Sequence, residues 1–228
     1  MLFPKISSDS LWSNFEEGLG IVDTKLLYND FYLPHKEDRE DAFLSMTNDL
    51  QIAFRNWIIN LKGFTRNLQK RYILDEDDFF ISFNYTDILE TLYGINDENI
   101  LHIHGYAEPD EQDLVSDYIF GHSNEEKHSG EDIYSFDYLE KDFVNGLRKV
   151  YKDNKLTCLQ KSGRLCKDVI ILGHSLNQVD DVYFTKIQEF VPNARWHIGY
   201  FDAQDYARKM KNIARTGISN KQFDFIRS

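Results

Sequence analysis

Hydrophobic positions recur along this chain with two different periods. Across residues 40–72, Phe43, Met46, Leu50, Phe54, Trp57, Ile58, Leu61, Phe64 and Leu68 return every three or four residues, the spacing of one helix face. A helix of that span extends roughly 45 Å at ~1.5 Å per residue, with Gly63 as the place where it bends or splits. Its aromatic stripe resembles a cofactor box, but such a stripe is far more often the core face of a helix, and a core face is expected here. Earlier, Leu11, Trp12, Phe15 and Leu19 mark a shorter amphipathic helix. Gly18-Leu19-Gly20 follows no strand and lacks a third glycine at the right place, so it reads as a helix end and not a phosphate loop. Residues 1–72 are therefore expected to form a helical segment packed on a core built by residues 73–228.

From residue 73 the period changes. Residues 79–83 are aromatic and β-rich, too short for a buried helix, and predict a strand. Asn84 and Tyr85 stand where it stops. Asp87 and Glu90, three apart, then open a helix in capping-box spacing, which Gly94 closes, and residues 100–104 form a second strand ending in His104-Gly105. Further strands are expected at 118–120, 168–172 and Arg195–Tyr200, and further helices at 136–151, 179–191 and Ala203–Ile213. Strands alternating with helices predict an α/β fold over residues 73–228. The expectation is a Rossmann-like, mostly parallel sheet flanked by helices, continuous with the N-terminal segment.

Charge narrows the partners. The net charge of −12 and pI near 5.0 argue against a nucleic-acid backbone or an anionic membrane, since either rewards a basic face. Cys158 and Cys166 fit no zinc spacing and make no disulfide framework, so free thiols in a cytoplasmic protein are expected. Neither a signal-peptide core nor an apolar run of membrane-spanning length is present in the sequence.

The candidate chemistry lies at strand ends. Four strands finish in polar or glycine-histidine groups: Asn84-Tyr85, His104-Gly105, Gly121-His122-Ser123 and Gly173-His174-Ser175. Parallel strands would gather all four on one rim, where α/β sheets bind ligands. A helix starting just after Ser175 would offer free N–H groups to a phosphate. Any one group alone is more often a simple turn; four together favour a small-molecule site. A metal-dependent hydrolase using His102, His104 and His122 is a weaker alternative, because clustered carboxylates and a matching cysteine or histidine spacing are missing. Ser175 as a hydrolase nucleophile is weaker still, for Gly-His-Ser-Leu lacks the Gly-x-Ser-x-Gly elbow.

The segments Ser-Phe-Asn-Tyr-Thr-Asp-Ile-Leu-Glu-x-Leu-Tyr-Gly, Ile-His-Gly, Ile-Phe-Gly-His and Ile-Leu-Gly-His-Ser-Leu-Asn-x-x-Asp-x-x-Tyr-Phe, with Trp12-Ser13-Asn14-Phe15-Glu16, resemble the AbiH-type bacteriophage abortive-infection proteins. These are in turn distantly similar to sirtuin-like NAD-binding domains. The resemblance implies a cytoplasmic antiviral-defence protein that binds or hydrolyses NAD or a related nucleotide, or else a non-catalytic sensor of a phage-derived trigger. It implies catalytic roles for Asn84 and His104, and nucleotide contacts from Tyr85, Asp87, Gly121, His122, Gly173, His174, Ser175 and Asp180. On the residues themselves, no resident metal is expected. In the sirtuin-like pattern an acid stands two places after the Asn, where this chain has Thr86, with Asp87 one further on. The family's opening strand and Gly-Asn-Gly-Phe-Asp loop have no counterpart within residues 1–228, so the sequence is expected to be a fragment, to take that unit from another chain, or to have lost nucleotide binding. The sheet is therefore expected to fill that slot with an N-terminal segment or to self-associate as a homo-oligomer. His197, inside its strand and not at its end, is expected to matter little to turnover.

Overall fold

The computed structural model describes residues 36–65, 69–105, 119, 121 and 151–227. The chain divides into two compact units; the described residues of one lie between 36 and 121, those of the other between 151 and 227.

The first unit opens with helix α1, Lys36–Thr65, of 30 residues. Its buried face is marked by Thr47, Phe54 and Ile58, and Phe54 meets the ring of Tyr85 edge-on at 5.1 Å. Trp57, expected in the core stripe, is 46% exposed. At about 100° per residue it lies off the face that Phe54 and Ile58 share. The helix was expected to reach Tyr72, but residues 69–72 are not helical. Gly63 falls in its last turn, and the backbone N–H groups of Arg71 and Tyr72 donate to the hydroxyl of Tyr93 at 3.2 and 3.4 Å instead of to a helical carbonyl.

Strands β1 (Phe80–Ser82) and β2 (Ile100–His102) pair in parallel, Phe80 opposite Ile100 and Ser82 opposite His102. The crossover between them is shorter and tighter than an α-helix. A single π turn spans Leu89–Tyr93, ended by Gly94 in the left-handed region at φ 77°, where only glycine sits without strain. A 3₁₀ turn, Asp97–Asn99, comes next, capped by the Asn96 side chain accepting from Glu98 N. The expected capping box is not made: no side chain caps the π turn, because the Glu90 carboxylate reaches His102 instead.

The second unit begins with 3₁₀ turns, Asp153–Cys158 and Gly163–Leu165, around one helical turn, α2 (Leu159–Ser162). It continues as β3 (Asp168–Ile171), α3 (Asp181–Phe190), β4 (Arg195–Tyr200), α4 (Ala203–Ile213) and β5 (Phe223–Arg227). The sheet runs β3-β4-β5, all parallel. β5 is a strand that the sequence pattern did not predict, although Phe-Asp-Phe after a turn at Gly217 carries the period-2 signal. Both units are thus α/β with parallel strands, as alternation predicts. Of the remaining expectations, the helix at 8–19 lies outside the described residues, as do the strand at 118–120 apart from Ile119 and the helix at 136–151 apart from Tyr151. Cys158 and Cys166 are free thiols.

On one sheet face Trp196 and Ile198 of β4 are fully buried, and Tyr183, Phe184, Ile187 and Ile213 from α3 and α4 are buried with them in the core. At the end of β4 a charged group is buried as well. Lys209 and Asp205, each 1% exposed, pair at 3.0 Å, and Lys209 also donates to Gly199 O at 2.6 Å. Asp205 accepts from Arg208 and from Phe201 N, so each charge has partners that offset its desolvation.

The other face carries His197. Its Nε2 lies 3.0 Å from Asp168 on β3 and its Nδ1 lies 2.6 Å from Asp224 on β5; Arg195 donates to the second oxygen of Asp224. Two carboxylates on two ring nitrogens ask for the doubly protonated ring. The bond to Asp168, opposed by partial burial and reinforced by Asp224, raises the pKa of His197 above its ordinary value. Burial pushes Asp224 up, but hydrogen bonds from His197 and Arg195 outweigh it and hold its carboxyl below the usual range. One ring thus ties three strands. Its contribution to stability is complete below about pH 6.5 and is lost as pH rises through the raised value. That of Asp224 is present above about pH 4 and lost as pH falls through the lowered one. Urea denaturation across pH should show wild-type stability declining on the alkaline side of pH 6.5. His197→Gln should be less stable near pH 5.5 and should lack that alkaline decline.

Candidate functional site

In register, Asn84 and His104 each stand two residues beyond the last β1–β2 pair, Ser82 opposite His102. Parallel strands end on the same side, so the two expected groups emerge at one rim. The turn after β1 is closed by Ser82, whose Oγ accepts from Asn84 N at 3.3 Å, and the Asn84 residue is exposed. Tyr85 folds inward and donates its hydroxyl to Ile119 O at 2.6 Å. Ile119 N in turn donates to His104 O at 2.7 Å. One residue thereby ties the ends of both strands. Gly121 is buried, with φ 142°. Asp87 contributes its carbonyl to Thr91, which donates from N and Oγ1.

His104 is only 2% exposed. Its ring meets Phe83 edge-on at 5.4 Å and lies 5.7 Å from the Tyr85 ring. The next residue, Gly105, turns at φ 75° and donates to His102 O, a backbone that other residues enter only with strain. The rim thus carries an exposed Asn84 after β1 and, at the matching position after β2, an imidazole enclosed by aromatic rings.

Gly173, His174, Ser175 and Asp180 belong to the second unit, at the end of β3. Gly173 is exposed with φ 66°, and an added Cβ would meet nothing within 4 Å, so the backbone alone requires glycine. His174 accepts from Leu176 N at its Nδ1 and pairs through Nε2 with Asp180 at 3.2 Å. Leu176, fully buried, holds φ 55°, an unusual backbone for leucine. Asn212 donates to Ser175 O and Arg215 to Leu176 O, so the end of α4 and the residues just after it clamp the loop. Arg215 also donates to Asp181 at 2.7 Å. Burial raises the Asp181 carboxyl above its ordinary pKa, against the pull of that arginine.

The helix at this rim does not begin directly after Ser175. A 3₁₀ turn, Gln178–Asp180, intervenes, and α3 starts with Asp180 as its cap and Asp181 in its first turn. A phosphate there would face two carboxylates in place of free N–H groups. His122 and Ser123 lie outside the described residues. Among the described residues no group of three or more His, Cys, Asp or Glu is placed to hold a metal ion. No described helix is long and apolar enough to cross a membrane. Sequence reasoning missed Glu90, Asn212 and Arg215 as partners of site residues. Glu90 to His102 spans 12 positions and Asn212 to Ser175 spans 37, separations that carry no periodic signal.

Short parallel strands alternating with helices place the chain in the α/β class. Within it the chain belongs to the family of bacteriophage abortive infection AbiH proteins, whose model matches residues 3–200. Comparisons with curated proteins and with solved structures gave no match.

Proposed function

We propose that this abortive-infection protein binds NAD or a related nucleotide at the β1–β2 rim and cleaves its N-glycosidic bond in response to a phage-derived trigger. The fold would then be a sirtuin-like variant of the α/β architecture. The observation that carries the reading is the in-register parallel pairing that brings Asn84 and His104 out at one rim. Asn84 offers both a donor and an acceptor to a ribose or a water without adding charge. An imidazole titrates near neutral pH and suits proton transfer, and the aromatic rings around His104 would keep bulk water from it. Nicotinamide and ribose match this donor set.

A second reading, a non-catalytic sensor, draws on the same burial of His104 and on the internal pairing of His174 with Asp180. Incubating the purified full chain with NAD and measuring released nicotinamide separates the two. Turnover above a buffer blank supports cleavage. NAD recovered intact, with and without phage lysate as a source of trigger, removes it and leaves the sensor.

A further inference from the structure

Glu90 and His102 are a pair that the proposed chemistry leaves unused. Their side chains are 18% and 10% exposed and meet at 2.6 Å between Oε1 and Nε2. Withdrawing a carboxylate from water is costly unless a partner compensates it, and Glu90 serves no helix cap that would account for its burial. The π turn is the element that places it. Single π turns of this kind are uncommon and often mark functional sites. Here the turn, locked by Gly94 N donating to Glu90 O, carries the carboxylate to β2. His102 is the last paired residue of that strand, opposite the buried Ser82, and stands two residues before His104.

The chemistry of the contact fixes the ring. An ionised carboxylate only accepts hydrogen bonds, so the nitrogen beside it must carry the proton. In the neutral ring, Nε2 then carries the N–H and Nδ1 is the acceptor. We infer that Glu90 is the positioning residue of the β1–β2 rim, holding His102 as the Nε2–H tautomer and, through it, the strand end that bears His104. What the rim acts on rests on the nucleotide reading above; the tautomer does not. A carboxylate beside an imidazole sets its tautomer in a way a carboxamide cannot, because the carboxamide donates as well as accepts.

The test uses the full chain and has two readouts. Long-range ¹H–¹⁵N NMR of the histidine rings reports the tautomer directly, with His102→Gln assigning the signal. Wild type should give one ring in the Nε2–H form, and Glu90→Gln should convert it to a mixture or to Nδ1–H while the remaining spectrum stays folded. Nicotinamide release should fall roughly ten- to a hundredfold in Glu90→Gln, in kcat and not in KM, as expected for a residue that orients a ring. Glu90→Asp, which restores the charge, should recover a single tautomer and part of the rate. A wild-type His102 in the Nδ1–H form overturns the inference, and so does a Glu90→Gln protein with tautomer and kcat both unchanged. Should the wild type release no nicotinamide, the nucleotide reading fails, while the NMR tautomer still decides the role of Glu90.

Discussion

Asn84→Ala is expected to abolish most nicotinamide release while leaving the protein as stable as the wild type. Asn84 is exposed and its side chain takes no part in the core, so its removal opens no cavity. The loss should be a factor of roughly 10²–10⁴, the range for a group that acts in the transition state. His104→Ala should lose turnover to a similar degree, but for two reasons. Its ring is buried between Phe83 and Tyr85, so truncation also leaves a cavity, and its melting temperature should fall. The asparagine variant is therefore the cleaner probe. Wild-type turnover in Asn84→Ala would exclude this rim from the chemistry.

The largest stability effect is expected from Asp205→Ala. That change leaves the Lys209 ammonium inside the protein with Gly199 O but without its carboxylate, and breaking a buried pair on one side costs about 3–5 kcal/mol. Urea denaturation should register this as a lower midpoint. Adding Lys209→Met to Asp205→Ala should recover most of the loss, because the methionine fills similar volume without a charge to desolvate. If the double variant is no better than the single one, the penalty comes from Arg208 and Phe201 N losing their acceptor, and the lysine is not the stranded group.

These outcomes depend on details of unequal visibility in the sequence. Regular alternation locates β4, α4 and most of β3 and α3, since local apolar period and helix signals agree there. β5 is harder to see because five residues give a weak period. Glu90 reads locally as a cap residue: its spacing from Asp87 satisfies the capping rule, yet a histidine 12 positions on competes for the same carboxylate and wins. The pairing of His197 is hidden for the same reason. A strand interior says nothing of which carboxylates stand on neighbouring strands, and Asp168 and Asp224 lie 29 and 27 residues away. At the candidate site the residue types and their strand-end positions are readable in the sequence. The enclosure of His104 and the acidic start of α3 are not, because both arise from chain packing and not from spacing.

A nucleotide bound where β1 and β2 end should be visible in amide hydrogen exchange of the full chain with and without saturating NAD. Exchange should slow at residues 82–85 and 102–105, and none of that slowing should occur in Asn84→Ala. NAD that leaves these two stretches unchanged, or protects a different part of the chain, would contradict binding there.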